Sequence, residues 1–211
     1  MAENDNYQEV EVKLHVSNFN AVIPALKRMG AELAVPRVFE RNVRYDTVNR
    51  SLSAQDIVLR LRQDNGVRLT FKDKILGDAI TRGVHQRFEA EVSVSDFDTM
   101  NLILERLGFK PYMTYEKYRT TYDFNEIEIV LDEMPYGNFI EIEAPDEAAI
   151  TPILEQLGLQ SAPKSPYSYS KLFAHVKRNL KLDFNDLTFA NFVGINVPIE
   201  AFIPPVIGGE W

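Results

Sequence analysis

Charged and apolar residues alternate near the start of the chain, where residues 9–16 read EVEVKLHV. Side chains of an extended strand point alternately to its two faces, so this stretch predicts a strand with one apolar and one charged face. Taken alone, the pattern is also typical of a surface strand whose charges are solvated, because antiparallel sheets commonly face water on one side. The charged face would carry Glu9, Glu11, Lys13 and His15.

Strand-like alternation recurs later in the chain, at residues 38–46, 57–63, 67–72, 87–94, 115–122, 127–131 and 139–143. The second and third of these stretches are joined by Asp-Asn-Gly at 64–66, and an Asn-Gly turn between alternating runs predicts a β-hairpin. Cations that share one face of a hairpin repel one another unless an anion or acidic side chains lie between them. A solvated basic hairpin is the alternative. The cations on this face are Arg60, Arg62, Arg68 and Lys72.

Three stretches have the apolar spacing of amphipathic helices, and each ends at a glycine: residues 18–30, 96–108 and 146–158. Asn18 and Asp96 are candidate caps for the first two helices, and Pro24 predicts a kink or a later start in the first. The polar residues 73–83 predict a mobile loop. Each predicted helix follows a strand with two carboxylates on one face, which indicates a repeated unit and suggests that the chain contains duplicated halves.

About eight strands and three helices predict an α+β fold, a closed eight-stranded antiparallel β-barrel with helices packed outside. The apolar helix stripes need apolar strand faces to rest on, so the charged strand faces would point into the barrel. A charged interior is costly unless each charge is paired or bound to a ligand. A self-neutralised network of ion pairs is one solution, and a polyphosphate bound together with a divalent cation is the other.

Composition narrows the class of protein. The chain has 211 residues, of which 45% are hydrophobic and 26% charged, as expected for a globular domain. Its formal net charge of −8 argues against a nucleic-acid partner but not against a small anionic ligand. The sequence has no apolar run of membrane-helix length and an acidic N-terminus, so we expect no membrane association and a cytoplasmic location.

Several short motifs occur in a fixed order between about residues 7 and 173. They are ExExK at Glu9, Glu11 and Lys13, RLR at Arg60 and Arg62, Lys72, KYR at Lys117 and Arg119, LDE at Asp132, EIE at Glu141 and Glu143, and SYSKL around Lys171. Together they closely resemble the motifs of the CYTH family of triphosphate tunnel enzymes. The resemblance implies a tunnel whose basic residues hold a triphosphate and whose carboxylates hold Mg²⁺ or Mn²⁺.

The resemblance also implies a role for individual residues. The implied metal ligands are Glu9, Glu11, Asp132, Glu141 and Glu143. The implied substrate-binding residues are Lys13, Arg60, Arg62, Lys72, Arg87, Lys117, Arg119 and Lys171, with Glu89 and Glu91 as further tunnel lining. The residues implied in catalysis are Glu9, Glu11, Lys13 and Lys72.

Members of this family differ in their reaction, and the tunnel residues serve each reaction equally well. We predict metal-dependent hydrolysis of inorganic triphosphate, thiamine triphosphate or a nucleoside triphosphate, because hydrolysis needs no base recognition. The alternative is a class IV adenylyl cyclase that converts ATP to cyclic AMP and pyrophosphate, and a third reading is a non-catalytic polyphosphate-binding module. Residues 1–178 would form the tunnel domain, and the apolar extension 179–211 would pack on the barrel or on a second subunit of a homodimer.

Overall fold

The strands form one continuous antiparallel sheet in the computed structural model, which describes residues 10–74 and 87–203. In the sheet the strands lie in the order β5-β4-β3-β2-β6-β7-β8-β1-β9. Their bounds are β1 (Val10–Val16), β2 (Glu32–Asp46), β3 (Val58–Gln63), β4 (Val67–Lys74), β5 (Arg87–Val94), β6 (Lys110–Phe124), β7 (Ile127–Met134), β8 (Gly137–Ala144) and β9 (Lys164–Ser165).

The sheet has nine strands, not eight, because the two-residue strand β9 pairs with β1 beyond the eight longer strands. Within the described residues, β5 and β9 are the two edges and no pairing joins them. The antiparallel sheet is therefore confirmed, whereas closure into a barrel stays a prediction. Strand β4 extends to Lys74, so the first two residues of the predicted loop 73–83 belong to a strand, and the remainder lies outside the described residues.

The strand order is symmetric about the central pair β2 and β6. On one side of this pair lie β3, β4 and β5, and on the other side lie β7, β8 and β1. A two-fold operation would therefore exchange β2 with β6, β3 with β7, β4 with β8 and β5 with β1. This topology agrees with the duplicated halves that the sequence repeat suggests.

Five α-helices lie in the described part of the chain: α1 (Val22–Met29), α2 (Ser51–Ala54), α3 (Phe97–Arg106), α4 (Glu147–Leu157) and α5 (Tyr169–Leu180). Asp96 caps α3 as predicted, accepting a hydrogen bond from the Thr99 amide at 2.8 Å. The prediction that Asn18 caps α1 is wrong, because its side chain accepts from the Asn20 amide in a turn before the helix. The later start places Pro24 in the first turn, where the missing amide proton costs no helical hydrogen bond.

Helices α1 and α4 pack against the apolar face of β1, β7 and β8, and their shared core includes the fully buried Leu14, Leu26 and Ile129. Helix α3 packs in the same way over β2 and β3, around Leu61 and Tyr45. These three helices therefore lie on the apolar face, as the alternation of the strands requires.

Helix α5, which was not among the three predicted helices, does not follow this arrangement. Its buried residues Leu172, Phe173 and Val176 form a core with Phe139, which belongs to the opposite, charged face by strand register. The physical reason is local, because that face becomes apolar at one end, where Met113, Met134 and Phe139 replace charged residues.

Residues beyond α5 join the same core, which includes Leu187, Phe192 and Phe202. Leu187 also hydrogen-bonds to the free edge of β6, accepting from the Glu116 amide at 2.9 Å and donating to the Thr114 carbonyl at 2.8 Å. The placement of a domain boundary at residue 178 stays a prediction. Among the helices that the structure describes, none combines the length and the apolar character needed to cross a bilayer.

Candidate functional site

Strand register places most of the predicted site residues on one face of the sheet. Lys13 lies opposite Glu141, Arg119 opposite Asp132, and Lys72 opposite Glu89. We call this surface the charged face, and the structure confirms the alternation on which it was predicted. Its charged and polar members include Glu11, Lys13, Glu40, Asn42, Arg44, Arg60, Arg62, Arg68, Thr70, Lys72, Glu89, Glu91, Tyr115, Lys117, Arg119, Asp132, Glu141 and Glu143.

Two carboxylates converge on Lys13 at one side of the charged face. Its ammonium group lies 2.7 Å from Glu11 and 2.9 Å from Glu141. Burial raises the pKa of Glu11, and repulsion from the Glu141 carboxylate raises it further. Burial alone would lower the pKa of Lys13, but Glu141 and Glu11 together raise it. The site therefore holds two close negative charges that share the Lys13 ammonium group.

Asp132 is fully buried and accepts hydrogen bonds from three side chains. Arg119 donates to both carboxylate oxygens, at 2.8 and 2.6 Å, and the Lys117 ammonium donates at 3.2 Å. The third donor is the hydroxyl of Tyr169 on α5, at 2.8 Å. Arg119 also reaches Glu141 at 2.7 Å, which joins Asp132 to the Lys13 cluster. Helix α5 thus contributes directly to the charged face.

Glu40 on β2 is a buried charge that sequence reasoning missed. It lies 3.5 Å from Lys117 and 3.7 Å from Arg62, and Asn42 donates to it at 2.8 Å. Burial alone would raise its pKa, but Lys117, Arg62 and Arg119 lower it to about 2. The signal in the sequence is that positions 40, 42 and 44 are all polar, although Arg41 on the other face obscures the alternation.

Arginines dominate the other side of the charged face. Arg60 donates to the Tyr115 hydroxyl at 3.1 Å and to Thr70 at 3.2 Å, and it lies 3.8 Å from Glu91. Burial lowers the pKa of Arg62, and the neighbouring positive charge of Arg60 lowers it further. Positive charge is therefore only partly compensated here, which is the condition in which an added anion binds favourably.

The remaining predicted site residues lie near the edges of the charged face, on helix α5, or outside the described residues. Lys72 pairs with Glu89 at 2.6 Å near the β5 edge, and Lys171 is exposed in the first turn of α5. Glu143 lies opposite Glu11 in the β1–β8 register. Glu9 and the side chain of Arg87 lie outside the described residues. The roles that the family resemblance implies for all these residues stay predictions.

The carboxylates suit a hard divalent cation, which takes oxygen ligands and is often held by one or two carboxylates plus water and substrate oxygens. Within residues 10–74 and 87–203, no three carboxylate or imidazole side chains come together as a ready metal site. Glu11 and Glu141 nevertheless form a close pair of like charges, and burial together with repulsion from Glu141 raises the pKa of Glu11. A cation would relieve this repulsion, so the donor set fits the implied metal.

Comparison with known proteins places these observations in a family. The CYTH domain model matches residues 7–169 of the chain. A Methanocaldococcus jannaschii protein named "Putative adenylate cyclase MJ0240" is 30% identical over 137 residues, covering 64% of this chain and 75% of that protein. "Adenylate cyclase CyaB" of Aeromonas hydrophila is 29% identical over 177 residues, covering 78% of this chain and 87% of that protein.

Solved structures share the fold. A "putative adenylate cyclase" from Vibrio parahaemolyticus superposes with a TM-score of 0.66 at 23% identity, covering 79% of this chain and 97% of that one. A Hippeastrum protein, described as a "putative adenylyl cyclase" with a dominant triphosphatase activity, gives a TM-score of 0.56 at 20% identity and covers 82% of this chain and 97% of that one.

Proposed function

The chain belongs to the CYTH family, and from this membership we propose that it hydrolyses a triphosphate substrate bound on the charged face, with the help of a divalent metal ion. The substrate class comprises inorganic triphosphate, thiamine triphosphate and nucleoside triphosphates. Mg²⁺ or Mn²⁺ is the metal we expect, because both prefer carboxylate and phosphoryl oxygens. As part of the proposal, the two edges of the sheet approach each other into the predicted barrel around the substrate.

One observation carries the proposal: the charged face combines a group of arginines with a close pair of carboxylates, Glu11 and Glu141. The strands β3 and β4 supply Arg60, Arg62 and Arg68, whereas the symmetry-related strands β7 and β8 supply Asp132 and Glu141. A fully self-neutralised network would leave no buried donor without an acceptor, whereas within the described residues the Nε atoms of these three arginines have none. Arginines and a carboxylate pair on one face suit a ligand that combines phosphoryl groups with a metal ion.

The chain's own side chains would divide the work between binding and orientation. The arginines and Lys13 bind phosphoryl oxygens, and Arg119 and Lys117 are held in fixed positions by the buried Asp132. Glu11 and Glu141, with Glu9, Glu143 and Asp132 as further predicted ligands, would hold the cation. When bound, this cation neutralises charge on the phosphoryl groups and activates the attacking water.

Adenylyl cyclase activity is the second candidate, favoured by the names of two relatives at 30% and 29% identity. In that reaction the ribose 3′-hydroxyl attacks the α-phosphorus and pyrophosphate leaves. The charged face would neutralise the triphosphate in either reaction, so the products distinguish the two candidates.

The test is an incubation of the purified protein with Mg²⁺ or Mn²⁺ and, separately, inorganic triphosphate, thiamine triphosphate and ATP. Orthophosphate, pyrophosphate and cyclic AMP are then resolved and quantified. We expect orthophosphate without cyclic AMP. Cyclic AMP with matching pyrophosphate would replace our proposal with the cyclase, and absence of all products would favour the binding module.

A further inference from the structure

A row of four arginines crosses the charged face from β4 to β2. Arg68 lies opposite Arg62 in the β3–β4 register, and Arg44 lies opposite Arg60 in the β2–β3 register. Neighbouring strands are about 4.8 Å apart, so the row extends roughly 10 Å across three strands. Arg44 was not among the substrate-binding residues predicted from the sequence.

Each arginine in this row has a buried hydrogen-bond donor for which the described residues provide no acceptor. In the described part of the chain, the buried side-chain nitrogen and oxygen atoms without a hydrogen-bond partner include the Nε atoms of all four arginines. The other such atom is Oδ1 of Asn42, which lies opposite Arg62. Buried charged donors are costly when they lack an acceptor. Four such donors in one row therefore indicate an anion with several acceptor oxygens.

Arg44 has the least compensated charge of the four. Carboxylates lie within 4.0 Å of the other three: Glu91 beside Arg60, Glu40 beside Arg62, and both Asp64 and Glu91 beside Arg68. For Arg44, the described residues supply no carboxylate within that distance. The positive charge of its guanidinium group is therefore not compensated by a described carboxylate and can be compensated by a bound anion.

Neutral contacts hold the Arg44 side chain at the α5 end of the row. Its Nη1 donates to the Ser170 hydroxyl at 3.2 Å, and its guanidinium carbon lies 5.4 Å from the centre of the Tyr112 ring. Both contacts orient the guanidinium without neutralising it. An oriented, uncompensated guanidinium is suited to bidentate recognition of a phosphoryl group.

We propose that Arg44 binds a terminal phosphoryl group of a linear triphosphate, at the end of the row nearest to α5. The inference rests on the proposed substrate class and adds a contact that the family motifs do not include. Inorganic triphosphate is the simplest ligand with this chemistry, because either of its ends presents a terminal phosphoryl group.

The experiment compares the wild type with Arg44→Gln by calorimetric titration of inorganic triphosphate in EDTA, so that binding is measured without turnover. We expect the dissociation constant to rise about tenfold or more, because a charge-assisted contact is lost. Arg50→Gln is the matched control: Arg50 is exposed and stacks on the same Tyr112 ring at 4.2 Å, but it lies outside the row. Its constant should change by about twofold or less, because exposed charges are screened.

An unchanged affinity in Arg44→Gln, or an equal loss in Arg50→Gln, would overturn the assignment. If Arg44→Gln does not fold, Arg44→Lys replaces it, since it keeps the charge and loses the guanidinium fork. Wild-type affinity in the lysine variant would also contradict the contact. Binding by the wild type without hydrolysis of any of the three substrates would overturn only the proposed function. A wild type that hydrolyses thiamine triphosphate or ATP but does not bind inorganic triphosphate would overturn only the Arg44 assignment.

Discussion

Replacing Glu40 with glutamine tests the electrostatic organisation of the charged face. Glutamine keeps the shape of the side chain and the oxygen that accepts from Asn42, but it removes the charge facing Lys117 and Arg62. Glu40 is 1% exposed, so solvent screens these interactions little. The variant should therefore be less stable than the wild type at neutral pH.

The magnitude follows from the pKa of Glu40, which falls from its ordinary 4.5 to about 2 in the folded protein. At about 1.36 kcal/mol per pKa unit, this difference corresponds to roughly 3 kcal/mol of folding free energy. A carboxylate with a lowered folded-state pKa contributes stability above its unfolded-state pKa. That contribution is lost as the pH falls from about 4.5 towards 2.

The assay is urea unfolding of wild type and Glu40→Gln at pH 7 and at pH 3. We expect a stability difference of roughly 3 kcal/mol at pH 7 and less than about half of that at pH 3, where the unfolded-state carboxylate is protonated. Glu133→Gln is the control, because its pair with Arg37 is solvent-exposed and worth at most about 1 kcal/mol. Equal stability of wild type and Glu40→Gln at pH 7, or a difference independent of pH, would refute the reasoning.

Two further substitutions test the carboxylate pair and the C-terminal packing. Glu141→Gln should reduce metal-dependent phosphate release by about a hundredfold or more, because one of the two carboxylates that share Lys13 is lost; full activity would contradict the metal assignment. Leu187→Ala should lower the free energy of unfolding by about 2 to 5 kcal/mol, since the side chain is fully buried. In the same denaturation assay Val193→Ala, at an exposed position, should change it by about 0.5 kcal/mol or less, and an equally small effect of Leu187→Ala would show that this core does not support the fold.

The sequence predicted which face of the sheet carries the site residues, but not how these residues pair with one another. Lys13, Arg60, Arg62, Arg119 and Glu141 stand in alternating strands, so their common face follows from a period of two. Their pairing does not, because a strand's neighbours in the sheet depend on contacts between distant segments. The hydrogen bonds from Arg119 and Lys117 to Asp132 form because β6 and β7 pair in the sheet, and this pairing is a property of the tertiary structure.

Helix α5 shows the limit of the same reasoning. Its buried residues Leu172, Phe173 and Val176 share one side of the helix, but their spacing does not indicate which surface they cover. Alternation made one sheet face apolar and the other charged, and α5 packs on the apolar end of the charged face. Tyr169 then reaches Asp132 from outside the sheet. No pattern within residues 169–180 encodes this contact, because it depends on the positions of Phe139 and Met113, which lie far from α5 in sequence.

Local patterns in the sequence therefore determined eight of the nine described strands, three of the helices, the face on which most site residues lie, and the family. These properties depend on side-chain periodicity and on motifs a few residues long, which a linear chain contains in full. The tertiary structure decided the strand order, the buried position of Glu40, the covering of the charged face by α5, and the row that includes Arg44. Each of these depends on the distance between segments far apart in sequence, and that distance is set by the packing of the whole domain.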